Sequence, residues 1–235
     1  MTESRRTLLL ASLTPFSLFV LLGVVANHGW LGTAELDGSS SGIRAWAAER
    51  PWLEHSLFLV EDLFATHGLT MATLALVAWL LSRRQFRAGA FVLVVMLAAR
   101  ELSGYTKELF GRDRPVWQDS DFLHTASSYP SGHAAGTAAI GGLVIVLAIM
   151  GSRSRAHLRP VAVIVSLVVL TVCADRLLLG RHYPTDLIGG VLLATGLVMV
   201  GAALLLPLAN AERDATLADD APSEVAKPEL VSRSA

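Results

Sequence analysis

At 235 residues, 53% of them hydrophobic, and a mean hydropathy of +0.52, the chain is too apolar for a soluble domain and is expected to be an integral membrane protein. Its net charge of −1 carries little meaning as a total, because in such a protein the placement of charges decides topology; no nucleic-acid partner is expected. The single cysteine, Cys173, excludes an internal disulfide and a cysteine-ligated metal, and its apolar surroundings mark it as a packed thiol.

A span needs roughly 20 apolar residues. The first run, after "ESRR", gives a span at 7–27. It is longer than the 7 to 15 residues or so of a signal h-region, and "ANHG" is a poor cleavage site, so it reads as a retained helix. Residues 28–63 form an outer loop. Within it "IRAWAAERPWLEHSLFLVEDLF", with Trp46, Trp52 and Phe58 among charges, reads as a helix at the membrane interface. The second span, 64–82, extends the run from Leu69 to Leu81 backwards through "FATHG". The third, 88–107, extends the run from Ala88 to Ala99 forwards through "RELSGYTKELF". The fourth, 132–150, is apolar from His133 to Met150. The fifth, 160–179, continues through "DRLLLG", and the sixth is 185–208. Residues 210–235 are polar, acidic and rich in Ala, Ser and Pro, and are expected to be a disordered cytoplasmic tail. The expectation is an all-α, six-transmembrane helix bundle forming one domain over 1–209.

Arginines orient it. "ESRR", "SRRQFR" (82–87) and "GSRSRAHLR" (151–159) fall on one side of six spans, which is cytoplasmic by the positive-inside rule. Both termini are then cytoplasmic, and the loops at 28–65, 108–131 and 180–184 face outwards from the inner cell membrane.

The polar groups inside this apolar chain gather at the outer lip. Lys107, Arg112 and Arg114 lie in "YTKELFGRDRP"; Ser131, Gly132 and His133 open the fourth helix; Arg176 closes the fifth; His182 and Asp186 open the sixth in "HYPTD". Intramembrane or lip-level charges are costly and mark function. Arginine forks and a lysine match phosphate oxygens, and two helix N-termini add backbone N–H groups. Taken singly, Arg112, Arg114 and Arg181 read as solvated loop residues or lipid-headgroup contacts; together they make an anion site. His182 and Asp186 are one helical turn apart, about 5.4 Å, so the carboxylate can fix the imidazole proton and leave the other nitrogen as nucleophile or base. His133 can protonate a leaving oxygen. A zinc site would need three ligands, and only His133, His182 and Asp186 are on offer among repelling arginines. His28, His55, His67, His124 and His157 read as interfacial residues. Arg100, Ser103 and Lys107 share one helix face, expected to point inward beneath the site.

"KELFGRDRP" (107–115), "PSGH" (130–133) and "RLLLGRHYPTD" (176–186) resemble the three signatures of the type 2 phosphatidic acid phosphatase superfamily. Those signatures are Lys, six residues, Arg-Pro; Pro-Ser-Gly-His; and Ser-Arg, five residues, His, three residues, Asp. Every spacing holds, over roughly Leu69 to Leu206. The resemblance implies phosphoester or phosphoanhydride hydrolysis through a phosphohistidine, without metal or other cofactor. His182 would attack phosphorus, Asp186 would orient it, and His133 would protonate the leaving oxygen and then activate water. Lys107, Arg114, Ser131, Gly132 and Arg176 would hold the phosphoryl oxygens. One position departs from the pattern: the serine before Arg176 is Asp175, an acceptor that phosphate would repel, expected to turn away and pair with an arginine, the alternative being that it tunes Arg176.

The implied substrate is a lipid phosphate or diphosphate in the membrane, with undecaprenyl diphosphate favoured and phosphatidic acid or phosphatidylglycerol phosphate next. Phosphotransfer to a lipid or sugar acceptor is the second enzymatic reading. An anion transporter is the non-enzymatic one, disfavoured because the spans lack halved symmetry and the polar groups sit at one lip. The sequence carries no signal for oligomeric state.

Overall fold

In a computed structural model describing residues 3–118, 126–151 and 155–219, every regular element among the described residues is helical. The long helices are α1 (Glu3–His28), α5 (Thr66–Ser82), α6 (Phe86–Phe110), α7 (Gly132–Gly151), α8 (Leu158–Leu178) and α9 (Pro184–Asp219). Three shorter ones, α2 (Thr33–Gly38), α3 (Ser40–Ala48) and α4 (Pro51–Leu63), join α1 to α5.

Helix α9 is the axis. It packs against α1, α6 and α7, while α5 closes on α6 and α7, and α8 lies along α7. Phe91, Val92 and Val95 of α6, Ala139 and Leu143 of α7, and Ala194 and Val198 of α9 form the main core. Small residues bring the helices together, as expected where lipid-exposed helices gain little from apolar burial alone. At Gly190 the backbones of α9 and the start of α7 meet directly: an added Cβ would stand 2.6 Å from the Ser131 carbonyl oxygen. The outward faces are apolar too: Leu13 and Leu21 of α1, Met71 and Leu74 of α5, and Ile164, Leu167 and Leu170 of α8 are exposed. A helix apolar on both faces belongs in lipid.

Helices α1, α7, α8 and α9 are each long and apolar enough to cross a membrane. Helices α4 and α5 qualify together as a pair bent by 50°. Helix α6 has 25 residues, about 37 Å at 1.5 Å each, but carries Arg100 and Glu101 along its length. The backward extension of the second span stops at Thr66, because the chain turns at Phe64 and Ala65. The forward extension of the third is fully helical, to the left-handed cap at Gly111.

The interfacial helix expected across residues 43–64 is broken in two. Pro51 has no N–H and pushes Arg50 out of the helical region (φ −129°, ψ 75°), ending α3 and starting α4. Helices α3 and α4 rest on α8, and α2 rests on α9, so this segment covers one end of the bundle. At the other end, helix α9 passes residue 209 and stays helical to Asp219; residues 220–235 of the expected tail lie outside the described residues, as do Arg153 and His124.

Helix directions separate the two ends. The basic turn at residues 83–85 begins α6, the short 3-10 turn Arg155–His157 begins α8, and Arg5 of α1 donates through Nε to the Ala203 carbonyl at 2.9 Å. The opposite end holds the C-termini of α6 and α8 and the N-termini of α7 and α9, under α2–α4.

Candidate active site

The fourth-helix turn is built from its aromatic neighbour outward. Tyr129 is buried, stacks on Phe19 at 5.4 Å, meets Phe110 edge-on at 4.9 Å, and donates its hydroxyl to the Phe19 carbonyl at 2.5 Å. This ties the loop to α1 and aims Ser131 at α9. The Ser131 N–H donates to the Asp186 carbonyl (3.0 Å), and its Oγ accepts from the Ala134 N–H (3.4 Å) as the cap of α7. Gly132 and His133 then face a cavity of about 340 Å³.

Across that cavity, Pro184 occupies the first turn of α9, and His182 and Asp186 flank it. Asp186 Oδ2 lies 3.3 Å from His182 Nδ1 and accepts the Tyr183 N–H at 2.9 Å; Oδ1 accepts from Arg112 Nη1 at 2.5 Å. With its carboxylate already accepting from two donors, Asp186 is the acceptor for Nδ1–H as well. Nε2 of His182 then carries the lone pair. Burial, and after it the charges of Arg114, Lys107, His133 and Arg176, hold the His182 pKa well below the usual 6.5. The imidazole is therefore neutral at physiological pH and available as a nucleophile.

Lys107, Arg114, Gly132, His133, Arg176, Arg181 and His182 all line this cavity. The sequence-derived set is thus brought together, apart from Ser131, which sits behind the wall as the cap, and Asp186, which acts on His182 from behind. The cations also hold protein acceptors. Lys107 Nζ donates to the Ser127 carbonyl (2.8 Å). Arg114 donates through Nε to Ala126 O (2.7 Å) and through Nη1 to Arg181 O (2.8 Å). Burial first, and then Arg181 and Arg176, lower the Arg114 pKa to about 10 despite the opposing pull of Asp186, so it stays charged. Arg176 is the most engaged: Nε and Nη2 go to Asp175 Oδ2, and Nη1 to Glu61 Oε1 at 2.7 Å. Asp175 does pair with an arginine, and that arginine is its own neighbour Arg176.

Four contributors lie outside the set that the three signatures assign. Arg112, read singly as a loop residue, is buried and pairs with Asp186 and with Asp37 of α2. Burial works against its charge, but Asp186 and Asp37 outweigh it and its pKa rises. Glu61, from the last turn of α4, meets Arg176 and also lies 3.5 Å from Arg181 Nε. Arg181 is turned inward and buried, not solvated. Below Lys107, Ser103 is buried as expected, whereas the Arg100 side chain is 63% exposed, lines the cavity mouth and pairs with Glu101 at 3.5 Å. Away from the cations, the cavity runs down between α5 and α6 along Leu69, Leu74, Leu93, Met96 and Leu97.

A helical membrane protein with a cation-lined, histidine-bearing cavity at one end of its bundle is the class these features define. The family model of the PAP2 superfamily matches residues 88–208, and the chain belongs to that superfamily. It is 25% identical over 179 residues to a protein named phosphatidylglycerophosphatase B from Bacillus subtilis (strain 168), an alignment covering 75% of this chain and 87% of that one. Its fold matches the crystal structure of a transmembrane PAP2-type phosphatidylglycerolphosphate phosphatase from Bacillus subtilis. The TM-score is 0.67 at 22% identity, with 82% of this chain and 93% of that one covered.

Proposed function

We propose that this protein is an integral-membrane lipid phosphatase that releases phosphate from a lipid phosphate at the outer face of the cytoplasmic membrane, through a phosphohistidine on His182. The observation that carries the reading is a buried, neutral His182, held at Nδ1 by Asp186, in a cavity lined by Lys107, Arg114 and His133. Nε2 attacks phosphorus in line, the P–N bond forms, and the ester P–O bond breaks as His133 gives its proton to the leaving oxygen. A water then loses a proton to His133 and attacks the phosphohistidine, returning His182 and free phosphate. The cations meet charge on the equatorial oxygens, the main lever in phosphoryl transfer. The chemistry asks for no metal ion.

The apolar floor between α5 and α6 gives an acyl or prenyl chain a place beside the reacting phosphate, which favours a lipid over a soluble ester. The outward placing rests on the positive-inside rule: with α6 counted as the third of six spans, the charged turns lie inside and the cavity faces outwards. Among lipids, the names of the Bacillus relatives favour phosphatidylglycerol phosphate, and undecaprenyl diphosphate is the alternative. A panel of both, with phosphatidic acid and a soluble phosphomonoester, is assayed for phosphate release by detergent-purified protein with and without chelator. Preferred turnover of a lipid that survives chelator supports the reading. Loss of activity in chelator removes the metal-free mechanism, and a His182→Ala protein with near-full turnover removes the phosphohistidine. Product that forms only when an acceptor is added would make it a phosphotransferase.

A further inference from the structure

We propose that Asp37, in the short helix α2, is a positioning residue for phosphoryl transfer, acting through Arg112 on the carboxylate of Asp186. The inference rests on the phosphohistidine reading above. Asp37 is only 3% exposed, and its chain position is remote from every motif that builds the cavity. Its Oδ2 accepts from Arg112 Nη2 at 2.5 Å and from the Thr185 hydroxyl at 2.8 Å, and its Oδ1 accepts the Thr185 N–H at 3.1 Å. Arg112 spends its other arm on Asp186 Oδ1 and on Thr185 Oγ1 (2.8 Å), and its guanidinium lies 4.4 Å from the centre of the Tyr183 ring. Asp37, Arg112, Asp186 and His182 therefore form a buried chain in which one guanidinium is shared by two carboxylates.

Sharing matters because of what Asp186 does with its second oxygen. One arm of Arg112 satisfies Oδ1 and leaves Oδ2 for the Tyr183 N–H and His182 Nδ1. Without Asp37, Arg112 is free to fork both arms onto Asp186, the geometry that guanidinium and carboxylate prefer. Oδ2 is then drawn from His182, and the imidazolium that forms during attack loses support. Without Arg112 the opposite happens: Asp186 turns its whole charge on His182. The other groups facing His182 are Lys107 on α6, Arg114 in the outer loop, His133 on α7 and Arg176 on α8, and they are the same in every variant.

The two substitutions therefore move the acid limb of kcat/KM, where His182 loses its proton, in opposite directions. The test is the pH dependence of kcat and kcat/KM for the full chain in detergent, with the best lipid phosphate from the panel. Substrate ionisation is common to all variants and cancels. Asp37→Asn is expected to lower kcat about 10- to 100-fold, with a small change in KM, and to shift the acid limb to lower pH by roughly half a unit. Arg112→Gln is expected to shift it upward. Asp37→Glu, which keeps the charge, should restore the wild-type limb. Unchanged kinetics in Asp37→Asn, shifts of the same sign in the Asn and Gln variants, or no rescue by Glu would overturn the proposal. If Asp37→Asn does not fold, the Arg112→Gln profile decides, and the absence of an upward shift overturns it. A fully active His182→Ala removes the phosphohistidine reading itself; an inactive one beside an unchanged Asp37→Asn removes only the role of Asp37.

Discussion

Replacing Asp186 by Asn is the sharpest probe of the His182 arrangement, because it changes one atom's chemistry and almost none of its volume. Oδ1 of Asp186 faces a donor, Arg112 Nη1 at 2.5 Å; Oδ2 faces two more, the Tyr183 N–H at 2.9 Å and His182 Nδ1 at 3.3 Å. An amide has one acceptor oxygen and one NH2, so either orientation points its NH2 at a donor. Arginine keeps its protons, whereas an imidazole can move its own from one nitrogen to the other. The amide oxygen therefore goes to Arg112, and the NH2 group faces a His182 that now accepts at Nδ1. Its hydrogen moves to Nε2, the atom required for attack. In the serine-protease pairing of the same two residue types, a wrong tautomer costs about 10⁴-fold in kcat. The expectation here is a loss of about 10³- to 10⁴-fold, or about 4–5.5 kcal/mol of barrier. The Tyr183 N–H loses its acceptor, which costs stability by about 1–3 kcal/mol. Single-turnover phosphate release, with acid-quench detection of the phosphoenzyme, reads the chemical step. Size-exclusion and melting of the same sample establish that it is folded. A folded Asp186→Asn protein within tenfold of the wild-type kcat would refute the tautomer argument.

Arg114→Ala removes a charged donor from the cavity and is expected to lower kcat/KM by about 100- to 1,000-fold in phosphate-release assays. Because burial holds the His182 pKa below 6.5, the unfolded chain binds this proton more readily than the folded one. Its contribution is intact above about pH 6.5 and is lost as the pH falls from there through the folded value, so the melting temperature in detergent should drop on acidification in that window. Gly190→Ala places a Cβ against the backbone of Ser131 and Ala135, at 2.6 and 3.0 Å, and is expected to destabilise by about 1–3 kcal/mol, seen as a lower melting temperature. In a Cys173→Ala background, a membrane-impermeant thiol reagent applied to intact cells should label Val116→Cys and not Arg84→Cys; the reverse pattern would invert the topology.

Where a functional unit is local in sequence, it is legible there. The i,i+4 relation of His182 and Asp186 needs only helical geometry, and the Ser131 cap needs only its place before an apolar run. The α6 extension through "RELSGYTKELF" also follows from length, since Ala88 to Ala99 is too short to span. The carboxylates that finish the site were not legible. Asp37 and Glu61 sit in the outer segment, and only the packing of α2 on α9 and of α4 on α8 brings them to Arg112 and Arg176. No spacing rule connects residues so far apart. The break before Pro51 was written in the sequence, but the regular placing of Trp46, Trp52 and Phe58 masked it. Arg100 shares a face with Lys107, and that face turns from the core to the cavity mouth along the helix, so the inward expectation held for Ser103 and not for Arg100.

The touching of α7 and α9 at Gly190 has a consequence for how such a protein can change over time. His133 and His182 sit at the starts of these two helices, and the Ser131–Asp186 backbone bond spans the same contact. The gap between His133 and His182 is therefore set by two rods held together at their first turns, not by the chain that wanders between them. Insertions or replacements in the outer segments can remodel which headgroup is admitted without respacing the two histidines. The scaffold separates inheritance of the reaction from drift in its clientele, with Asp37 and Glu61 as the tethers that newly arrived outer segments would have to reproduce.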